Sequence, residues 1–301
     1  MNSIAPMNAF NLRYPPGRLD LQLCLNSGQV FRWHKLPDGE WLGADGDHWF
    51  VVVPIAEGEL CVRSNARPED FEHFFRLDWD AEAVEREVLA RGPEMAPYLT
   101  ELKGLRLLRP SDPVETLYSF LCTPNNNLKR IVQMVRCLAA YGPLMAEVQG
   151  EGVHRFPGTE TIASIPPLEL RGKGFGYRGD TIPSVARQVI ERGGDSWIRG
   201  LKNEAYQDAH DQLCEIKGIG PKLADCICLF ALHQNLAVPI DTHIWQAAVR
   251  LYFPELKEKS LTGTRYRMIG DALRCRFGEL TGWAHQYLFY DNLLNWRTRE
   301  S

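Results

Sequence analysis

The chain has 301 residues, 45% of them hydrophobic, with 34 Lys and Arg against 38 Asp and Glu. That length allows two packed domains or one large one, and the composition is that of a soluble globular protein rather than a fibrous or disordered one. A formal charge of −4 excludes a uniformly basic nucleic-acid binder, yet residues 1–110 alone carry 12 Lys and Arg against 17 Asp and Glu, much of the acidity between 69 and 87. Basic residues gather instead at 129–130, 171–178 and 217–222, and local patches of this kind are what phosphate contact requires.

No apolar run approaches the roughly 20 residues needed to cross a bilayer, and the opening Met-Asn-Ser-Ile-Ala-Pro lacks the charged and apolar regions of a signal peptide. The eight cysteines are scattered and mostly sit in apolar surroundings, which fits buried free thiols in a reducing compartment. Cys226-x-Cys228 is too tight for the usual zinc spacing and no four-cysteine cluster follows, so neither a metal centre nor a cofactor is expected.

In chain order, β-rich runs at 30–34, 40–42, 48–53 and 59–63 are separated by Pro-Asp-Gly, Asp-Gly-Asp and Glu-Gly turn signals, which predicts an antiparallel sheet. Residues 71–77 and 81–89 then read as helices, the acidic stretch forming a solvated face. From Asp112 onward the pattern is nearly all helical: Asp112 is an N-cap, Pro113 takes the first helical position and Glu115 the third. Further helices are expected at 128–140, 160–165, 181–192, 197–202, 266–277 and 282–294. The fold class is therefore α+β, with an antiparallel sheet and helices over 1–111 and a mostly α-helical region over 112–301.

Residues 206–216 form an amphipathic helical pattern, 217–220 a glycine turn and 221–233 a second helix with Pro221 at its first position, a helix-hairpin-helix. Gly218 and Gly220 let the backbone come close to a partner. The amides of the turn and of the next helical turn point outward as a seat for phosphate, so DNA backbone is the natural ligand. Lys222 lies in that first turn, where the helix terminus opposes protonation, and a neutral amine is a nucleophile. Asp241 precedes a helical run at 242–252 and is an N-cap whose carboxylate is held in one orientation. A solvated lysine and a structural cap are the ordinary readings of either residue alone. Nineteen positions apart behind a DNA-binding hairpin, they point to chemistry.

Four further islands accompany the hairpin: Gly28-Gln-Val-Phe-Arg-Trp33, Asn125-Asn-Asn127, Gly174-Phe-Gly-Tyr-Arg178 and Gly282-Trp-Ala-His-Gln-Tyr-Leu-Phe289. In this order they resemble the eukaryotic-type 8-oxoguanine DNA glycosylase/AP lyases of the helix-hairpin-helix superfamily, over residues 21–296. The resemblance implies excision of 8-oxoguanine opposite cytosine through a Schiff base on Lys222, with Asp241 stabilising the oxocarbenium charge, and strand cleavage by β-elimination. It assigns lesion recognition to the main-chain carbonyl of Gly28, which accepts from the N7–H that only the oxidised base carries. Phe289 and Cys226 are to sandwich the flipped base. Tyr177 is the wedge, Asn125, Arg130 and Arg178 hold the orphaned cytosine, and His243 contacts a phosphate. Asn126 and Asn127 read as loop or cap residues.

His285 departs from the family, since vertebrate members carry a glutamine there against the Watson–Crick edge, and Gln286 points about 100° away around the helix. The implied partner is double-stranded DNA containing oxidised guanine, bound by a monomer away from membranes, inside the cell wherever DNA is found. Related hairpins hold a cation on backbone carbonyls, here those around 217–220. Two alternatives stay open: a monofunctional glycosylase for alkylated bases, which uses water as nucleophile and against which Lys222 argues, and a non-catalytic DNA-binding module.

Overall fold

The computed structural model describes residues 8–300, with side chains as far as Asn295. The reading of the first six residues, and the side chain of Trp296, lie outside the described residues. A five-stranded antiparallel sheet has the order β1 (Asn8–Arg13), β5 (Glu59–Ser64), β4 (His48–Ala56), β3 (Trp41–Asp45), β2 (His34–Lys35). Alternation decides its faces: in β5, Leu60, Val62 and Ser64 are buried and their neighbours partly exposed.

In β4 four consecutive residues, Trp49 to Val52, are buried, because both faces are covered. Phe50 and Val52 point into the main core, while Trp49 and Val51 pack with Ala146 and Val153. Those two come from a second sheet, β6 (Leu144–Val148) and β7 (Glu151–His154), where the sequence predicts no strands. Its turn places Gln149 at φ +51° and Gly150 at φ +78°, the left-handed pair of a tight hairpin. The hairpin is hard to read because its strands are short and bury only one residue each.

The expected strand at 30–34 is not there; only His34 pairs. Residues 27–33 form a loop after α1 (Leu21–Asn26), and their β-like composition reflects core filling. Trp33 stacks on Phe50 and Phe74 and lies over Gly43, whose missing side chain leaves the ring its space. The segments β1, α1 and α4 (Ala96–Glu101) also lie outside the expected elements. α3 (Ala81–Arg91) falls where expected, while α2 (Pro68–Phe74) begins and ends three residues ahead of the expected 71–77.

The change to helix occurs at α5 (Pro113–Leu121), where the Asp112 carboxylate accepts from Val114 N as an N-cap. Glu115 does not close a capping box. It turns to Arg32 at 2.8 Å, and burial raises its carboxyl to about 7. α6 (Leu128–Ala139), α7 (Thr159–Ser164), α8 (Pro167–Gly172), α9 (Arg178–Glu191) and α10 (Asp195–Gly200) follow, then the hairpin helices α11 (Tyr206–Cys214) and α12 (Pro221–Phe230), then α13 (Thr242–Leu251), α14 (Gly263–Phe277) and α15 (Thr281–Glu300). Leu105, Leu107 and Leu108 run buried between the two halves, and one hydrophobic core spans both. We propose the division at 111/112 as a change of structural class within that core. Among the described residues no helix is long and apolar enough to cross a membrane. All eight cysteines are free, four of them buried and Cys275 exposed, so the expectation of burial holds for only part of the set.

Candidate active site

α12 begins at Pro221, which lacks the N–H that a first-turn residue would leave unpaired. Gly218 stands at φ +115°, and its open side faces Thr181 and Val185 of α9 at 3.1 Å, so the turn needs glycine twice over, for conformation and for packing. Gly220 is different: its backbone is extended and nothing lies within 4 Å of where a Cβ would stand, leaving the start of α12 open.

Lys222 and Cys226, one turn apart on α12, face a cavity of about 400 Å³. Asp241, His243, His285, Phe289 and Gly28 line the same space, brought in by α13, α15 and the loop after α1. Asp241 caps α13, its Oδ1 accepting from His243 N and Ile244 N at 2.9 Å each. Gly28, at φ +78°, lies against the Phe289 ring, with 3.5 Å to where a Cβ would stand. Phe289 is parallel to His285 at 6.0 Å and edge-on to His243 at 5.8 Å. An apolar wall of Phe31, Phe120, Ile131 and Phe230 completes the cavity, Phe120 and Phe230 stacking at 5.2 Å. Phe31 was within a quoted motif but carried no assigned role; periodicity alone does not distinguish a pocket wall from core.

The electrostatics correct one expectation. Lys222 binds its proton more tightly than a free lysine does, because the Cys226 sulfur and the Asp241 carboxylate beside it outweigh burial. The cationic form is therefore the resting one, and the helix terminus does not prevail. Burial pushes the Cys226 thiol up to about 11, with the Lys222 ammonium pulling the other way. Burial also drives His285 down to about 4, and its Nε2 lies 3.0 Å from Pro239 O, leaving Nδ1 buried with no hydrogen-bond partner among the described residues. A carbonyl can only accept, so Nε2 carries the proton and Nδ1 a lone pair. Gln286 points away, donating to Ser27 O at 3.3 Å.

A second group forms where the start of α6 meets the turn before α9. Tyr177 is 54% exposed, and its hydroxyl donates to Pro124 O at 3.2 Å. Arg130, exposed, donates to Gly174 O at 2.8 Å. Asn125 is exposed at φ +50°, and its side-chain amide makes no hydrogen bond among the described residues. Asn127 caps α6 and Asn126 holds Cys122 O, the structural roles expected of them. Arg178 is only 4% exposed: it lies over the Tyr177 ring and donates to Pro124 O and Asn125 O. The four residues thus meet, but Arg178 is turned inward and must swing outward to touch a base. The basic stretch at 171–178 is also less available than its charge suggests, since Arg171 pairs with Asp180 and Lys173 with Glu169.

Residues 11–117 match the family model described as 8-oxoguanine DNA glycosylase, N-terminal domain. The N-glycosylase/DNA lyase OGG1 of Arabidopsis thaliana is 33% identical over 94% of this chain and 80% of its own length. The chain belongs to the 8-oxoguanine DNA glycosylase family. The N-glycosylase/DNA lyase of Saccharomyces cerevisiae is 30% identical, over 92% of this chain and 86% of its own. The Clostridium acetobutylicum 8-oxoguanine glycosylase/lyase, solved with double-stranded DNA containing cytosine opposite 8-oxoguanine, superposes on this family member with a TM-score of 0.83 at 26% identity, covering 96% and 98% of the two chains. A 3-methyladenine glycosylase from Archaeoglobus fulgidus, at 17% identity and a TM-score of 0.71, shares the fold.

Proposed function

We propose that the protein excises 8-oxoguanine from duplex DNA, with cytosine opposite, and then cleaves the strand, using Lys222 as the nucleophile. It acts inside the cell, where it meets DNA. The observation that carries the reading is the shared cavity, with Lys222 and Asp241 beside Gly28, Cys226, His285 and Phe289. Its volume of about 400 Å³ accommodates an extruded nucleoside, and extrusion is required because the sugar carbon is out of reach inside the stack.

Lys222 first gives up a proton. Its lone pair then forms a bond to C1′ while the bond from C1′ to the base nitrogen breaks, the base leaving with the electron pair and taking a proton. The Asp241 carboxylate offsets the positive charge that builds on the sugar between these events. Opening of the C1′–O4′ bond, with one amine proton passing to O4′, gives the protonated imine, which acidifies the hydrogen on C2′; its loss as a proton forms the C2′–C3′ double bond and breaks the C3′–O bond, expelling the 3′ phosphate. Gly28 O reads the N7–H of the lesion, and the faces of Phe289 and Cys226 hold the ring between them. Tyr177 fills the vacated stack, while Asn125 and Arg130 face the cytosine and Arg178 swings outward to join them; His243, Gly218 and Gly220 approach the phosphates.

Borohydride reduction during reaction with a duplex carrying 8-oxoguanine opposite cytosine tests this reading. The expected result is a covalent protein–DNA adduct that requires Lys222. A monofunctional enzyme releases the base without an adduct, and a binding module does neither.

A further inference from the structure

α12 carries one carboxylate that this chemistry leaves unused. Asp225, three residues after Lys222 and one before Cys226, is 1% exposed in an otherwise apolar stretch from Leu223 to Phe230. It accepts from the Tyr206 hydroxyl at 2.6 Å and from the Tyr266 hydroxyl, with His210 Nε2 4.0 Å away. Arg274 Nη1 supports Tyr206 in turn, at 3.2 Å. Tyr266 has a single hydroxyl proton, and Asp225 is its near acceptor; its lone pair receives Ile240 N–H at 3.4 Å.

Ile240 immediately precedes Asp241. A path of two hydrogen bonds therefore joins the helix of Lys222 to the backbone that ends in Asp241. Among the described residues no backbone hydrogen bond links α12 directly to residues 238–241, so the hydrogen-bonded link between them runs through side chains. A buried carboxylate adds little to stability that an apolar side chain of similar volume would not supply.

Resting on the reading of Lys222 and Asp241 as the reacting pair, we propose that Tyr266, held by Asp225, is a positioning residue that fixes Asp241 relative to Lys222. It touches neither substrate nor reacting atom. Its effect is confined to the geometry in which the carboxylate meets the developing charge.

The test is a double-mutant cycle. Tyr266→Phe, which keeps the ring, and Asp225→Asn, which keeps the shape, are each made alone and with Asp241→Asn, and single-turnover excision, lesion-duplex Kd and melting temperature are measured. We expect each single variant to lose about tenfold in rate, the worth of one hydrogen bond to a charged group, with Kd unchanged. On the Asp241→Asn background the further loss should vanish, because the carboxylate being positioned is gone. Full, multiplicative losses on both backgrounds overturn the proposal, as does failure of both variants to fold, which assigns the network to stability. If Asp241→Asn alone turns over at the wild-type rate, the reading of the reacting pair fails first and takes this inference with it.

Discussion

His285 Nε2 donates to Pro239 O at 3.0 Å and so fixes its own tautomer, presenting the lone pair of a buried Nδ1 in a cavity-lining side chain. The N1–H and N2–H groups of a guanine-type base can both give it a hydrogen bond, whereas adenine has an acceptor at N1 and only its N6–H to offer. His285→Leu should therefore slow 8-oxoguanine excision about tenfold or more, the cost of a lost buried acceptor, with His285→Gln restoring most of it. Single-turnover excision rates of the two variants check this, and equal rates in both remove the edge-reading role.

The same histidine should leave a mark on stability. Its folded value is depressed to about 4 from an ordinary 6.5, so its contribution is complete above about 6.5 and is lost as pH falls towards 4. Each such group adds at most about 1.4 kcal/mol per pH unit to the slope in that window. Urea unfolding of wild type and His285→Gln between those limits should show the shallower dependence in the variant.

Lys222→Gln should abolish adduct formation and strand cleavage while leaving lesion-duplex binding within a few-fold. In the wild type, trapping should speed up as pH rises, because the raised proton affinity of Lys222 makes its neutral form scarcer at pH 7 than in a free lysine. A trapping rate that falls between pH 7 and 9 contradicts the assignment.

Asp241→Asn keeps an oxygen for His243 N and Ile244 N and so keeps the cap. Stability should change by less than about 0.5 kcal/mol. Excision should nevertheless slow by about a hundredfold, since what is removed is the charge facing the transition state. Thermal unfolding and single-turnover kinetics separate the two effects.

Arg130→Ala and Arg178→Ala should erode the preference for cytosine opposite the lesion by roughly 1–3 kcal/mol, against a smaller, uniform loss of DNA binding. Arg178 also braces Pro124 and Asn125, so its variant should in addition loosen that turn and cost some melting temperature. Excision with each of the four bases opposite the lesion reads the preference directly.

How much of this was legible depended on whether a signal was local. Pro221, Gly218 and the Asp241 cap declare themselves through backbone chemistry within a few residues, and the hairpin lies where they put it. The β6–β7 strands declare nothing, because their burial comes from Trp49 and Val51 almost a hundred residues away. The proton affinity of Lys222 depends on Cys226, one turn along the same helix, and in addition on Asp241, a neighbour only in three dimensions, so a helix-terminus argument does not give its direction. Asp225 was the readable clue that went unused, a charge within an apolar helix that had to have partners.

The unbroken core across residue 112 has a consequence for how this protein can be damaged. Gly28 and Lys222 come from opposite halves of the chain yet line one cavity, and the buried leucines at 105, 107 and 108 join those halves. A proteolytic clip there should give no surviving fragment with a reactive amine and no means of choosing its target. Discrimination and cleavage should be lost together, because the residues assigned to each line the same cavity.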